Sequence, residues 1–163
     1  MLSQTLHDLG KNNEISLEVF LGNYNNTLSA FDDHKKIFTD GSKDGSKVSA
    51  AAVCDGRVFL SRLPDNASIF TAELRAILLA INLINTSSSK AFVILVDSLS
   101  SIQAIENRNW SHPVVQEILI KLHHLIASGS SITFMWIPSH IGIKGNTLAD
   151  TAAKLALSSS ISD

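Results

Sequence analysis

The stretch Lys36-Ile37-Phe38-Thr39-Asp40-Gly41-Ser42 decides the fold, because a short apolar run ends there in a carboxylate and a glycine. The pattern returns in Ala91-Phe92-Val93-Ile94-Leu95-Val96-Asp97-Ser98, where an unbroken apolar run again closes on an aspartate. Apolar runs without alternation are typical of strands that carry helices on both faces of their sheet. Ligands of such sheets bind at the carboxyl ends of the strands. We therefore predict that Asp40 and Asp97 lie next to each other on adjacent parallel strands.

Length and composition indicate one folded globular domain. The chain has 163 residues and is 45% hydrophobic, which suffices for a core. A formal net charge of -2 gives no overall basic field, so any nucleic-acid binding must be local and governed by shape. The single cysteine, Cys54, excludes an internal disulfide. The first residues lack the pattern of a signal peptide and no apolar run is long enough to span a membrane, which predicts an intracellular protein, nuclear or cytoplasmic, without a membrane partner.

Turn residues and apolar runs predict the remaining elements. Turn residues fill positions 41–47, and the two strand-like runs that follow are joined by Asp55-Gly56, a strong hairpin signal. The predicted elements after Asp40 are strands at 48–53 and 57–63, a helix at 68–84, the Asp97 strand, helices at 98–107 and 113–127, a strand at 131–137 and a helix at 146–157. This order predicts an α/β fold with a five-stranded mixed sheet, three antiparallel strands then two parallel ones, and helices on both faces. Residues 1–35 are predicted to form a linker or loosely ordered arm, and residues 158–163 a tail.

Glu73 lies on an apolar face of the predicted helix at 68–84, with Ile69, Phe70 and Ile77 at helical spacing from it. A carboxylate that faces a core without a cation or donor is costly, so a compensating partner is expected. The alternative is that Glu73 only interacts with the positive end of the helix dipole. A capping box does not explain it, because Thr71 stands one position too close.

Asp150 has a stronger structural explanation, because residues 147–150 fit a capping box that begins at Thr147. The preceding loop points instead to function. Residues 138–146 place His140 and two glycines between a strand end and a helix start. Glycines permit mobility, and histidine titrates near neutral pH.

The convergence of carboxylates at strand ends suggests a metal site. No pair of cysteines or histidines stands at zinc-ligand spacing beside these acids, so the pattern favours a hard, oxygen-binding cation, Mg²⁺ or Mn²⁺. Sites of this kind often hold two ions about 4 Å apart that activate phosphoryl transfer.

Four motifs in one order resemble type 1 ribonuclease H. They are Thr39-Asp40-Gly41-Ser42, Thr71-Ala72-Glu73-Leu74, Val96-Asp97-Ser98, and Ser139-His140-Ile141-Gly142-Ile143-Lys144-Gly145-Asn146 followed by Ala149-Asp150. The resemblance covers roughly residues 36–157, the predicted ribonuclease H domain. It is closest to the ribonuclease H domains of non-LTR retrotransposon polyproteins, a likeness carried by residues 68–74 and 136–140.

The resemblance implies cleavage of the RNA strand of an RNA–DNA hybrid, with two Mg²⁺ ions, or Mn²⁺ in their place, as cofactor. The implied catalytic and metal-binding acids are Asp40, Glu73, Asp97 and Asp150, and the implied catalytic histidine is His140. The implied substrate-binding residues are Gly41, Ser42, Lys43, Thr71 and Asn146. A reverse transcriptase domain, in the same chain or separate, is the implied partner beside the hybrid.

The chain departs from the family pattern in two places. Thr147 stands where the family commonly has glutamate after Gly-Asn, so one acid near the site is absent. Only residues 108–112 bridge the two middle helices, where cellular members often carry a basic helix and loop. The chain therefore lacks the usual basic substrate contact.

Three alternative functions compete with this interpretation, and the sequence argues against the second and the third. A catalytically weak or inactive retroelement relic, acting as a nucleic-acid or protein binding module, is the first. A transposase or integrase of the same fold would end its acidic set differently and would lack the loop at 139–146. A phosphatase-like hydrolase would need Asp-x-Asp after the first strand, and residues 38–42 do not provide it.

Overall fold

The computed structural model describes residues 17–161, with side chains from residue 23 onward. In chain order the elements of this range are α1 (Leu17–Ser29), β1 (Lys35–Asp44), β2 (Lys47–Cys54), β3 (Arg57–Leu63), α2 (Ile69–Asn85), β4 (Ala91–Val96), α3 (Leu99–Glu106), α4 (Pro113–Ala127), β5 (Ser131–Trp136) and α5 (Lys144–Ala156). Among these helices, none is both long and apolar enough to cross a membrane.

One mixed sheet contains the five strands in the order β3-β2-β1-β4-β5. The β1–β2 and β2–β3 pairs are antiparallel, whereas β1–β4 and β4–β5 are parallel. The predicted sheet is therefore confirmed, including the parallel neighbours β1 and β4. Asp55 and Gly56 join β2 to β3 with φ of 51° and 74°, the left-handed pair that a two-residue hairpin turn requires.

β1 is longer than its apolar run. The sequence predicts a turn over residues 41–47, but β1 continues to Asp44 and pairs with β2 from Ile37↔Cys54 to Asp44↔Lys47. The pairing between β1 and β4 ends earlier, at Thr39↔Val96. The prediction is wrong here because β2 supplies backbone partners regardless of side-chain polarity. Asp40 thus lies where its neighbour β4 ends, in the middle of its own strand.

Helices cover both faces of the sheet, as predicted. On one face, Leu74, Ile77 and Ile81 of α2 pack in a fully buried cluster with Ile37 of β1 and with residues of β4, α3 and α4. On the opposite face, α5 packs its alanines against β2, and α1 packs beside it on β4 and β5. β4, the middle one of the parallel strands, is therefore buried from both sides, which explains its unbroken apolar run.

Part of the predicted N-terminal arm packs against the sheet. Tyr24 is 6% exposed and lies in a cluster with Val93, Leu95 and Met135, against which Leu28 and Phe31 also pack. The prediction of a loosely ordered arm over residues 1–35 differs from the structure at these residues. The helical spacing of their three apolar side chains is hard to recognise in the sequence, because asparagines lie between them. Residues 1–16 and 162–163 lie outside the described residues, and the domain boundary at residue 36 stays a prediction.

α5 begins at Lys144, two residues before its predicted start at residue 146, and the N-cap residue Ile143 has no side-chain capping bond. Thr147 is therefore inside the helix and its hydroxyl donates to the Ile143 carbonyl, 3.2 Å away. The capping-box interpretation of Asp150 is wrong. Gly145 lets the first turn of α5 pass close to Phe38, since a Cβ at position 145 would lie 2.2 Å from the Phe38 ring.

Candidate active site

Three carboxylates meet at the edge where β4 ends. Asp40 comes from β1, Asp97 follows β4 directly, and Glu73 extends from α2. Each offers one oxygen atom, and these atoms all lie within 4.8 Å of one another. The predicted approach of Asp40 to Asp97 therefore holds, and Glu73 completes a cluster of three acids.

Gly41 lets α2 approach β1 closely enough for Glu73 to reach the cluster. A Cβ on Gly41 would lie 2.8 Å from the backbone nitrogen of Glu73 and 2.9 Å from Ala72, so a side chain there would push the helix away. The Gly41 N–H donates to Oε2 of Glu73 at 3.1 Å. α2 begins at Ile69 and carries no acid in its first turn, so the helix-dipole explanation of Glu73 does not apply.

Burial and mutual repulsion keep protons on this cluster. Burial raises the pKa of Asp40 to about 8, with Asp97 and Asp150 adding repulsion. Burial likewise raises the pKa of Glu73 to about 9, with repulsion from Asp40 and Asp97. Burial also raises the pKa of Asp97, although hydrogen bonds from Ser139 and Asn146 oppose the shift. At neutral pH the cluster therefore holds protons that a cation would displace.

Asp150 borders the cluster from α5. It is not among the three acids within 4.8 Å of one another, but it lies near enough to raise the pKa of Asp40. Its Oδ2 accepts a 2.8 Å hydrogen bond from Nζ of Lys154, four residues later. The fourth predicted acid thus lies beside the other three and forms an ion pair with the Lys154 ammonium group.

Residues after β4 and β5 hold Asp97 in place. The Trp136 indole N–H donates to the Asp97 carbonyl at 3.1 Å, and the Ser139 hydroxyl donates to Asp97 Oδ2 at 2.9 Å. Asn146 also lowers the pKa of the Asp97 carboxyl group and so favours its charged form. Sequence reasoning missed Ser139 and Trp136. Their position at the end of the strand beside β4 is the signal that could have found them.

The predicted substrate-binding residues lie on β1, in the first turn of α2 and in the first turn of α5. Ser42 is buried, whereas the Lys43 ammonium is exposed and donates to the Ala67 carbonyl at 2.9 Å. The Thr71 hydroxyl lies 2.9 Å from the Ser68 hydroxyl at the start of α2. Asn146 is 5% exposed, and within the described residues its Oδ1 is a buried acceptor without a partner.

His140 lies in the exposed loop between β5 and α5. Its φ is 57°, and that of Gly142 is 82°, so the loop contains two left-handed residues in close succession. Its charged form would interact favourably with Asp97. A strained, exposed loop with a histidine beside the acids fits the predicted mobile residue, whose role stays a prediction.

The donor set suits a hard divalent cation. Carboxylate oxygens alone form the close cluster, which matches the ligands that Mg²⁺ and Mn²⁺ prefer. The unpartnered Asn146 Oδ1 offers a further acceptor beside Asp97 for a water or a substrate hydroxyl. The residues present therefore fit a metal centre.

Comparisons with known proteins agree with this geometry. A family model described as RNase H matches residues 32–158. The chain is 29% identical over 122 residues to the Gag-Pol polyprotein of Bovine immunodeficiency virus (strain R29), a match that covers 74% of this chain and 8% of the polyprotein. It is 32% identical over 130 residues to the Pol polyprotein of Equine infectious anemia virus (strain Wyoming), covering 73% of this chain and 10% of that protein. The chain thus spans a tenth or less of these relatives.

Proposed function

The chain belongs to the ribonuclease H family, and we propose that it is a metal-dependent endonuclease that hydrolyses the RNA strand of RNA–DNA hybrids. The proposed products carry 5′-phosphate and 3′-hydroxyl ends. The observation that carries the proposal is the cluster of Asp40, Glu73 and Asp97, whose oxygens lie within 4.8 Å and whose repulsion a metal would relieve.

Asp40, Glu73, Asp97 and Asp150 would hold the metal, which we propose to be two Mg²⁺ ions, with Mn²⁺ able to replace them. When bound, such ions lower the pKa of an attacking water and stabilise charge on the phosphate. The chain's own contribution is to orient the ligands. Gly41 N–H fixes one oxygen of Glu73, and the Ser139 hydroxyl fixes the carboxylate of Asp97.

The substrate would contact Gly41, Ser42, Lys43, Thr71 and Asn146. The backbone beyond Asp40 and the start of α2 offer polar groups next to the cluster, and 2′-hydroxyls are what distinguish RNA from DNA. The buried Oδ1 of Asn146 supports this assignment, because an unpaired buried acceptor is costly until a donor reaches it. His140 would assist turnover from its loop.

We also propose a reverse transcriptase domain as a partner, in the same polypeptide or a separate one. Support comes from the relatives, which are polyproteins of which this chain spans at most a tenth. The closer affiliation with non-LTR retrotransposons stays a prediction.

The proposal is tested with a labelled duplex in which a short RNA segment interrupts one DNA strand. The chain should cut only within the RNA segment in Mg²⁺, and the cut ends should accept ligation at the 5′-phosphate without kinase treatment. Cleavage of the all-DNA duplex at the same rate would contradict hybrid specificity. Binding of the hybrid without cleavage would favour the alternative of an inactive binding module.

A further inference from the structure

Lys154 carries a positive charge to the edge of the acid cluster. Its Nζ lies 2.8 Å from Oδ2 of Asp150, one helical turn away on α5. The Lys154 side chain is 59% exposed and that of Asp150 is 22% exposed. The ion pair therefore joins an open surface to a partly buried acid.

The charge of Lys154 extends beyond Asp150 to the cluster itself. Asp150 raises the pKa of Asp40, and Lys154 interacts electrostatically with both acids. A cation bound between Asp40 and Asp150 would thus meet an ammonium already in contact with one of its ligands.

We infer that Lys154 competes with a divalent cation for Asp150 and so weakens metal binding on this side of the site. The inference rests on the proposed function, because it assumes that Asp150 is a metal ligand. When a divalent ion binds at Asp150, the Lys154 ammonium either breaks its ion pair or stays close to a doubly charged ion. Both outcomes cost free energy, which weakens metal binding.

The expected size follows from screened electrostatics. One unit charge about 5 Å from a divalent ion, screened as strongly as in water, changes the ion's affinity by about fifteenfold. Salt and the flexible lysine stem reduce this, so removal of the charge should tighten binding by about three- to tenfold.

An ordinary surface ion pair is the competing explanation, and the chain offers a matched control for it. On α4, Nζ of Lys121 lies 3.4 Å from Oε1 of Glu117, also four residues apart, and these side chains are 40% and 45% exposed. Lys121 has no contact with the acid cluster among the described residues. Its loss should affect stability as the loss of Lys154 does, without affecting metal affinity.

The experiment is titration calorimetry of Mg²⁺ into wild type, Lys154→Gln, Lys154→Arg and Lys121→Gln, without nucleic acid. We expect tighter binding for Lys154→Gln alone, and wild-type affinity for Lys154→Arg, which keeps the charge. The effect of Lys154→Gln should largely disappear in an Asp150→Asn background, because the shared ligand is then absent.

Equal or weaker Mg²⁺ binding by Lys154→Gln, with normal binding by wild type, would overturn the competition alone. If neither wild type nor Lys154→Gln binds Mg²⁺, the metal site of the proposed function fails and the inference fails with it. The same tightening in Lys121→Gln would assign the effect to general surface charge and would also overturn the inference.

Discussion

Without a metal, the neighbouring carboxyl groups of the site lower the stability of the folded protein. Asp40 is 6% exposed and Glu73 is half-buried, and each lies next to another carboxyl group. The folded chain lowers this cost by keeping protons, as the raised pKa values of about 8 for Asp40 and about 9 for Glu73 show. Functional sites often carry such a stability cost.

The metal-free protein should lose stability as pH rises. Both acids have folded pKa values above their ordinary values of 3.8 and 4.5, so between these limits the folded state binds more protons than the unfolded state. The free energy of unfolding should therefore fall from about pH 5 to about pH 9, by on the order of 1.4 kcal/mol per pH unit for each proton that the folded cluster retains. Urea unfolding in EDTA at pH 5, 7 and 9 measures it.

Asp40→Asn provides the control for this pH dependence. Removal of one charge from the cluster should make the profile flatter and leave the protein at least as stable at pH 8. Stability that rises over the same range, or a profile unchanged by Asp40→Asn, would show that these acids do not share protons.

His140→Ala should slow turnover without abolishing single-turnover cleavage. The side chain is exposed on a loop with left-handed backbone at His140 and Gly142, so it is expected to help from a mobile position and not to bind the metal. Comparison of multiple-turnover and single-turnover rates on a hybrid measures the difference. Complete loss of the single-turnover reaction would contradict this role.

At the scale of elements, the side chains that α5 buries are small or polar. Its buried residues are Asn146, Ala149, Ala152, Ala153 and Ala156. Polar groups from the sheet supplement this small apolar surface. The Ser49 hydroxyl donates to the Ala153 carbonyl, and buried Arg62 donates to the Leu157 carbonyl at 3.2 Å. These bonds fix the helix that carries Asp150.

Arg62→Met should destabilise the protein by about 2–4 kcal/mol, because the carbonyls of Val48 and Leu157 lose a charged donor and one is buried. Arg57→Met, on the exposed start of the same strand, should change stability by less than about 0.5 kcal/mol. Urea unfolding of both variants measures the contrast. Equal effects would mean that Arg62 does not anchor α5.

Most elements could be predicted because their signals are local. Periodicity and turn residues located the β2–β3 hairpin and gave α4 its observed bounds. The end of β1 was predicted too early, because its polar residues 41–44 pair with β2 across a two-residue turn. The start of α5 could not be predicted, because Gly145 lies against the Phe38 ring, which is distant in sequence. The same holds for the packing of Tyr24.

The site could be predicted only in part. The order of the acids indicated a cluster, and the structure brings Asp40, Glu73 and Asp97 together. The donors to Asp97 depend on how β5 and its loop lie against β4, which composition does not reveal. The pairing of Asp150 with Lys154 was visible as an i,i+4 spacing once α5 was assigned.

At the scale of the whole molecule, the formal net charge of -2 predicts weak hybrid binding by the isolated domain. Some of its cations already pair with acids, since Lys35 lies 2.8 Å from Asp55 and Arg75 lies 4.0 Å from Glu117. We therefore expect only about two to four phosphate contacts with the hybrid. The binding affinity should fall as the salt concentration rises, with a slope set by that number of contacts.

Fluorescence anisotropy of an inactive Asp97→Asn variant on labelled hybrid, across a salt series, measures this slope. Lys43→Gln should lower the slope by about one, and Lys121→Gln should leave it unchanged. Nanomolar affinity at physiological salt would reveal a basic surface that this account lacks. A linked reverse transcriptase domain would otherwise supply the local concentration.

The most direct measurement of the central claim is single-turnover cleavage of an RNA–DNA hybrid by wild type and Asp97→Asn, each in Mg²⁺ and in EDTA. We expect cleavage by wild type in Mg²⁺ and none in the other three reactions, with Asp97→Asn at least as stable as wild type in EDTA. Cleavage by wild type in EDTA, or by Asp97→Asn at the wild-type rate, would contradict this expectation.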